Sequence, residues 1–518
     1  MRKHILGISA YYHDSAACLF QDGNLLFACE EEKFTGIKHD SSFPINAINY
    51  ILENYTDQID LICYYEKPLL KLKRAFKHNI RSVPRVLWTN LKLYFKLRKI
   101  CKKVFYSTHH MSHMAYAYYT SPFKEATVIS VDGVGEEETV AVASAKHNEL
   151  TQVKSVTYPH SLGLLYSAIT AFLGFKPNEG EYKVMGLASY GNFHIFKKEF
   201  EKLLDYKDLK VDMDYFTWNK SNKVMFNHKL IELLGYNRLP EEEITQRHKD
   251  IAAALQWIYE KALFYLLKEY PGANLCLSGG CAYNGSANGK IKQNSQYRQI
   301  WIPTAPSDAG SCIGACLAYT KTKIKENPFL GPSYDDFVTC PSTPLNLDVV
   351  AQALYEGKVV GWFEGRIEFG ARALGHRSIL ANPTLPGMQD RINALIKKRE
   401  MFRPFAPMVA FDKQSIYFES KDRVPFMNQV VKVALKYRKK LKAVTHVDGT
   451  ARIQSVESGR MYKLLEKFEK LSTFPILLNT SFNIKDKTMV LTPEDALKTF
   501  WETDIDVLVI NNIMIFKK

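Results

Sequence analysis

The chain has no apolar run approaching the roughly 20 residues that a membrane-spanning helix needs. Its Ile5 to Tyr12 stretch is broken by His13 and Asp14, so it does not read as a signal peptide. The nine cysteines are odd in number, scattered and without a CxxC pair, which argues against a disulfide framework and a zinc ribbon. Cys312 and Cys316 share a helix face and read as small core residues. A reducing, cytoplasmic compartment is the expectation. One long stretch lacks acid altogether: Lys67 to Lys103 holds thirteen Lys and Arg and no Asp or Glu. With a formal net charge of +15, that leaves only +2 for the rest of the chain. The same stretch carries Leu70, Phe76, Leu87, Trp88, Leu91, Tyr94, Phe95 and Leu97, so 67–103 is expected to form one or two amphipathic helices broken near Pro84. Three roles compete for it: a solvated insertion, a dock on an anionic membrane surface, or a nucleic-acid contact. Bulky apolar residues between the cations favour the membrane surface, and no nucleic-acid partner is expected.

What is present is concentrated in a few motifs. The stretch that starts at Ser107 and ends before Pro122 reads as a helix, and the i, i+4 spacing of His109 and His113 puts both imidazoles on one face, while His110 points elsewhere. Such a pair forms half of a metal site, although paired helix histidines are also common without one. Ala126 to Val131 reads as a buried strand ending in Asp132-Gly133-Val134-Gly135-Glu136, followed by a strand from Thr139 to Ala145. A glycine-rich turn at a strand end suits close approach of a phosphate, and it equally suits a hairpin. The N-terminus repeats the construction: a strand Ile5 to Ala10, the polar turn Tyr12-His13-Asp14-Ser15, then strands Ala16 to Phe20 and Leu25 to Cys29. Two such units suggest a duplicated α/β core of the actin-like ATPase and sugar kinase kind.

Two further turns follow. Asn274 to Ser278 delivers Gly279-Gly280 into Cys281-Ala282-Tyr283-Asn284, and Ala305 to Gly310 precedes a small-residue helix from Gly310 to Tyr319. Ser307 or Asp308 is suited to cap that helix. Alternatively, Asp308 completes a ligand set with His109, His113 and Asp132. Two nitrogens and two carboxylates suit Fe, Mn or Zn.

Past about residue 340, with Cys340-Pro341-Ser342-Thr343-Pro344 as the expected linker, the composition changes. Arg366, Arg372, Arg377, Arg391, Lys397, Lys398, Arg399 and Arg403 crowd together. Several sit beside Gly, Pro or Phe, as the walls of an anion pocket would.

Taken in order, the motifs resemble the O-carbamoyltransferases of the nodulation and antibiotic-biosynthesis type. The matching stretches include Ala10-Tyr11-Tyr12-His13-Asp14-Ser15, His109-His110-Met111-Ser112-His113, Asp132-Gly133-Val134-Gly135-Glu136 and Gly180-Glu181-Tyr182-Lys183-Val184-Met185-Gly186. Leu277 to Asn284, Gly365 to Ser378, Phe402 to Pro407, Thr445 to Arg452 and Leu478 to Asn483 continue the pattern. Departures are Lys33 and Gly36 where relatives often carry Arg, Ala371 where they carry Pro, and Lys485-Asp486-Lys487 near the end. Without Arg at position 36, a bidentate anion contact there is in doubt.

The resemblance implies an α/β protein: a duplicated actin-like (ribonuclease H-like) domain over 1–340, then a YrdC-like α/β domain over 341–518. It implies that the second domain makes carbamoyl adenylate from ATP and carbamoyl phosphate with Mg²⁺, using Arg366, Arg372, Arg377, Lys398, Arg399, Arg403, Arg452, Asn479, Ser481 and Asn483. In the first domain, a divalent metal (Fe²⁺ first, Mn²⁺ or Zn²⁺ otherwise) on His109, His113, Asp132 and Asp308 would grip the adenylate. Gly133, Gly135, Lys183, Gly279, Gly280 and Asn284 would bind the nucleotide, and His13 would act as the base, with a pKa near the working range. Lys38 is a substrate-contact candidate. The acceptor would be a hydroxyl of a sugar-containing molecule or glycan, and a homodimer stays open. The rivals are a tRNA threonylcarbamoyl transferase and a non-catalytic actin-like ATP-binding scaffold. A hydrogenase-maturation carbamoyltransferase would need an acylphosphatase segment and Cys-rich zinc fingers, which this sequence lacks.

Overall fold

The computed structural model describes residues 3–220, 224–335, 340–397 and 405–517. They divide into two compact units. The first takes the chain up to Glu31, then His39–Asn284 and Lys290–Glu326; the second takes Glu32–Lys38, Gly285–Gly289 and Asn327 onward. The division falls before the expected boundary at 340/341, because the chain past Asn327 already pairs within the second unit. Phe369 N–H donates to the Pro328 carbonyl at 2.7 Å and Ile367 N–H to that of Pro332 at 3.0 Å. The segment read as a linker is partly strand: Thr343–Pro344 pairs with Met514 and Ile513 at a sheet edge, where proline is tolerated.

The first unit is a duplication. Strands β1 (His4–Ser9), β2 (Ala16–Gln21) and β3 (Asn24–Glu30) form an antiparallel meander, and β4 (Leu61–Tyr64) and β5 (Val104–Tyr106) add in parallel on the other side of β1. In the second sheet β6 (Glu125–Val131), β7 (Glu138–Lys146) and β8 (Glu149–Thr157) form the meander, and Asn274–Ser278 and Gln299–Trp301 add in parallel beside β6. The strand order is the same in both, β3-β2-β1-β4-β5 against β8-β7-β6 followed by the two parallel strands. This is the actin-like architecture that the two acidic strand-end turns predicted. Strands β1 and β2 and the second half of β6 are nearly continuous apolar runs because both faces are covered, whereas the edge strand β8 is largely exposed.

Two helices pack into this unit and carry the site. The helix His109–Thr120 is almost wholly buried. The helix Asp308–Thr320 crosses it so closely that a Cβ on Gly314 would lie 1.8 Å from the Ser112 carbonyl oxygen, so only glycine fits there. Ser307 is the N-cap residue, but its side chain makes no capping hydrogen bond. The basic segment forms helices Pro68–His78 and Val83–Ile100, with Pro84 in the first turn of the second and the break just before it. Among the described residues no helix is long and apolar enough to cross a membrane.

The second unit is built on an eight-stranded mixed sheet. In spatial order its strands are Thr343–Pro344, Ile513–Phe516, Val507–Ile510, Val360–Phe363, Arg377–Ala381, Ile476–Ser481, Ala406–Ala410 and Gln454–Val456. Alternate side chains feed two cores. Leu380 and Leu477 pack with Leu354, Leu464 and Phe468 of the helices Leu347–Tyr355 and Gly459–Ser472, while Ile379 and Leu478 pack with Phe500 of the helix Pro493–Glu502.

Candidate active site

The helix His109–Thr120 projects its i, i+4 imidazoles at the two acidic residues delivered by the end of β6 and the start of the helix Asp308–Thr320. His109 Nε2 lies 2.9 Å from Asp132 Oδ2, His113 Nε2 lies 3.3 Å from Asp308 Oδ1, and the two Nε2 atoms are 3.1 Å apart. One ligand atom from each of the four residues falls within 4.8 Å of the others, and all four residues are buried. Neither Asp308 carboxylate oxygen accepts a hydrogen bond among the described residues. A buried carboxylate left so is costly unless a cation compensates it. The donor set, and a buried carboxylate that faces two imidazoles without a hydrogen bond among the described residues, fit a borderline divalent metal.

The surroundings orient the ligands. Ser311 Oγ sits 3.1 Å from His113 Nδ1, which leaves Nε2 to face the cluster. Gly280 N–H donates to Asp132 Oδ1 at 2.8 Å, holding Oδ2 toward the histidines. The carboxylate oxygens of Glu136 both accept from His109 N–H at 3.1 Å, satisfying the start of the helix from outside. Gly135 and Gly280 are glycine for lack of room. A Cβ would meet His109 Cβ at 2.8 Å in the first case and Asp132 Oδ1 at 2.9 Å in the second. Gly133 faces the Tyr12 hydroxyl, and Gly279 N–H donates to the Pro306 carbonyl.

Burial opposes charge on His113, but its close polar contacts with Asp132 and Asp308 and the charges of both carry its pKa up to about 9. Burial likewise opposes ionisation of Asp132, and the polar contacts and charges of His109 and His113 hold its carboxyl well below the usual carboxylate range. His110 turns away to Ser130 Oγ at 2.8 Å, and burial beside two imidazoles lowers its pKa to about 3.

The turn after β1 supplies a second cluster. His13 Nδ1 lies 3.1 Å from Asp14 Oδ2, His39 Nδ1 lies 2.6 Å from Asp14 Oδ1, and Ser307 Oγ donates to Asp14 Oδ2 at 3.2 Å. Burial alone would lower the His13 pKa. The charges of Asp308 and Asp14, the Asp14 hydrogen bond and the Asp132 charge override it and raise the pKa to about 10. That corrects the expectation of a value near the working range: the acids delivered by β6 and the helix Asp308–Thr320 are not visible from the turn itself. Sequence reasoning misses Asp14 and His39 as a unit because two strands separate them. Both residues adopt left-handed backbone, Asp14 at φ 50° and His39 at φ 52°, which no local pattern in the sequence announces. Ser307, read as a cap, serves this cluster instead.

Family models decide what this site belongs to. The model described as carbamoyltransferase N-terminus matches residues 4–317, and that described as carbamoyltransferase C-terminus matches 351–517. The chain belongs to the carbamoyltransferase family. It is 40% identical to an uncharacterized protein, sll1178, of Synechocystis, over 99% of this chain and 97% of that one. It is 33% identical to nodulation protein NolNO of Sinorhizobium fredii, over 98% and 80%, and 34% identical to nodulation protein NolO of Bradyrhizobium diazoefficiens, over 79% of each. Among solved structures, component A of the Acidaminococcus fermentans (R)-2-hydroxyglutaryl-CoA dehydratase is similar at a TM-score of 0.37 and 14% identity, covering 62% of this chain and 98% of that one. The protein is therefore an enzyme, a carbamoyltransferase, and the non-catalytic scaffold falls away.

In this carbamoyltransferase the remaining N-terminal candidates are dispersed. Lys183 lies on the helix Glu181–Ala188 with its ammonium 5.7 Å from the Phe175 ring centre. Asn284 exchanges two 3.0 Å hydrogen bonds with Gln256. Lys38 is half-buried in the Glu32–Lys38 segment of the second unit, where Lys33 pairs with Glu32 at 2.8 Å.

In the second unit the loop from Arg366 to His376 is held by its own side chains. Glu368, fully buried, accepts the N–H groups of Leu374, His376 and Arg377 on one oxygen at 2.7, 2.9 and 3.1 Å. Arg377 is also buried. It donates to the carbonyls of Glu364, Gly365 and His376 and stacks 3.5 Å from the Phe363 ring centre. Arg366 donates to the carbonyls of Leu330 and Gly331. Among the described contacts these two guanidiniums brace the loop, a role that their spacing in the sequence does not show.

Arg372, half-buried, sits on that loop beside Ala373, whose carbonyl accepts from Asn479 at 3.1 Å. Asn479 also donates to Gln454, which reaches back to the Leu374 carbonyl, so the loop is sewn to two strands. Ser481 donates to Asn483 Oδ1 at 2.7 Å, and the Lys397 ammonium donates to the carbonyls of both. In the sequence Lys397 stands out only as one member of the charge cluster. Arg452, half-buried, lies on the strand Thr450–Arg452. Lys398, Arg399 and Arg403 lie outside the described residues.

Proposed function

We propose that this carbamoyltransferase is ATP-dependent and works in two stages. In the C-terminal unit, water releases phosphate from carbamoyl phosphate. A carbamate oxygen then attacks the α-phosphorus of ATP, and pyrophosphate leaves as carbamoyl adenylate forms. Mg²⁺ would offset the charge of the ATP phosphates. Arg372, Arg452, Lys398, Arg399 and Arg403 would neutralise the crowded anions, with Asn479, Ser481 and Asn483 positioning them. Arg366 and Arg377 would act one step removed, by fixing the loop that carries Arg372.

In the N-terminal unit His109, His113, Asp132 and Asp308 would hold a divalent cation, Fe²⁺ first and Mn²⁺ or Zn²⁺ otherwise. Bound there, it supplies Lewis-acid polarisation to the adenylate. Gly133, Gly135, Gly279, Gly280, Lys183 and Asn284 would line the nucleotide's path, with Lys38 contacting substrate. His13, its Nδ1 committed to Asp14, would present Nε2 as the base for the acceptor hydroxyl proton once a cation on Asp132 and Asp308 offsets the two carboxylate charges that help to raise its pKa. The hydroxyl oxygen bonds to the carbamoyl carbon, the bond to the AMP oxygen breaks, and AMP leaves. The acceptor class, a sugar hydroxyl, follows from the resemblance to nodulation-type enzymes.

The observation that carries this reading is the Asp308 carboxylate, buried beside two imidazoles and a second carboxylate with no hydrogen bond of its own among the described residues. The test is to incubate the full chain with ATP, carbamoyl phosphate, Mg²⁺, Fe²⁺ and a panel of saccharides. The expected result is pyrophosphate from ATP and carbamoyl phosphate, with a saccharide heavier by one carbamoyl group. No carbamoyl-phosphate-dependent pyrophosphate would overturn it.

A further inference from the structure

We propose that residues 67–103 form a docking surface for an anionic lipid bilayer, which would bring the transfer site to a membrane-anchored acceptor. The helix Val83–Ile100 carries two separate apolar stripes. One, with Leu93 and Leu97, is buried against its own unit. The other holds Leu87, Trp88, Leu91, Tyr94 and Phe95. At roughly 100° per residue they span an arc of about 120° on the other side of the helix. All five are exposed, Trp88 by 60% and Phe95 by 62%. The preceding helix adds Leu69, 78% exposed, and Phe76, which share one of its faces. Large apolar side chains gathered in this way mark an interaction surface.

The charge pattern selects the partner. Arg85, Lys92 and Lys99 fall along one flank of the exposed stripe, and the whole segment has thirteen basic residues and no acidic one. Cations beside an apolar stripe that carries Trp and Tyr are the arrangement of a helix lying in a bilayer interface, with its apolar face in the acyl boundary and its cations among anionic headgroups. A second copy of this surface would meet like charge. Nucleic acid would use the cations but gain nothing from Leu87 and Leu91, which offer no face for base stacking.

The segment is rooted in the candidate active site. Lys67 N–H donates to Glu136 Oε1 at 2.8 Å, the same carboxylate that accepts from His109 N–H. The Arg74 guanidinium donates to the Gly135 carbonyl, and Lys73 lies 3.7 Å from Glu137. Asn90 ties the second helix to the first through the Pro68 carbonyl at 2.9 Å. A bilayer bound here would therefore lie beside the turn that carries Asp132. The membrane-anchored acceptor rests on the two-stage reading above; the docking does not.

Co-sedimentation of the full chain with phosphatidylcholine vesicles, with and without phosphatidylglycerol, tests the docking. The protein should pellet with the anionic vesicles and not the neutral ones, and added salt should release it. The triple variant Trp88→Glu, Leu91→Glu, Phe95→Glu should lose on the order of tenfold or more in apparent vesicle affinity. It should keep the wild-type melting profile and the wild-type rate of pyrophosphate formation from ATP and carbamoyl phosphate. Absence of pelleting with anionic vesicles at low salt, equal pelleting with neutral ones, undiminished binding by the triple variant, or capture of RNA in preference to vesicles would each overturn the docking. Vesicle binding without carbamoyl-phosphate-dependent chemistry would instead sink the two-stage reading and leave the docking standing.

Discussion

The turn after β1 and the turn after β6 occupy the same address in two sheets of identical strand order, yet they present different side chains. Both lie at the carboxyl ends of central strands, where α/β sheets bind ligands. The β6 turn is sealed: Asp132 is 2% exposed and faces two imidazoles, and the turn uses glycine so that His109 can press against it. The β1 turn is more open. The side chains of His13 and Asp14 are each 16% exposed, and Tyr11 and Asp14 adopt left-handed backbone without being glycine. Duplication thus supplied two equivalent ledges. One carries a buried cluster of two imidazoles and two carboxylates that could hold a cation, and the other a histidine braced by a carboxylate.

The largest effect that would break this comparison comes from the sealed ledge. His113→Ala should abolish cation binding, read as metal content after reconstitution with Mn²⁺ or Zn²⁺. AMP release should fall to background, while pyrophosphate formation continues at the wild-type rate. A variant that keeps its metal and its AMP release would show that the four residues are not a cage.

Next comes the open ledge. His13→Asn should lower AMP release by ~10²–10⁴-fold, the usual contribution of a positioned base, and should leave metal content unchanged. Equal loss of pyrophosphate formation would erase the distinction between the two ledges and between the two stages.

What the sequence made legible follows from locality. The i, i+4 histidines are local to one helix, and Asp132 and Asp308 stand at element ends, so spacing and position offer all four as candidates beside the plainer readings of a helix pair, a hairpin turn and a cap. Duplication was readable because each half begins with the same strand–turn–strand pattern. Contacts between distant segments were not: His39 reaches Asp14 from beyond two strands, and Glu136 caps a helix that starts well upstream of it. Direction was also hidden. Arg372 and Arg377 look alike in the sequence, and only the structure shows that Arg377 is buried and donates to three carbonyls. The two-residue strand Thr343–Pro344 is too short to show alternation.

A smaller effect sharpens the comparison by separating the base from its brace. Asp14→Asn keeps shape but removes a charge that raises His13, so burial and the remaining groups would set a lower pKa. His13 would then be neutral at lower pH, and the rise of AMP release with pH should begin further toward acid. The rate at the plateau should drop roughly 10–100-fold, because the imidazole loses the partner that fixes its orientation. An unchanged pH profile would mean that His13 is not the titrating base.

The smallest expected change is at Ser311, whose hydroxyl meets His113 Nδ1. If that contact sets which nitrogen faces the cluster, Ser311→Ala should weaken cation affinity by about tenfold, within the range for groups that orient a ligand. The alanine would leave His13 and Asp14 untouched, so at saturating metal AMP release should return to the wild-type rate with an unshifted pH profile. Recovery by added metal ties the residue to the sealed ledge alone. A defect that persists at saturation would mean that the two ledges are coupled through the helix Asp308–Thr320, which carries Ser311 and, at its N-cap, the Ser307 hydroxyl held by Asp14.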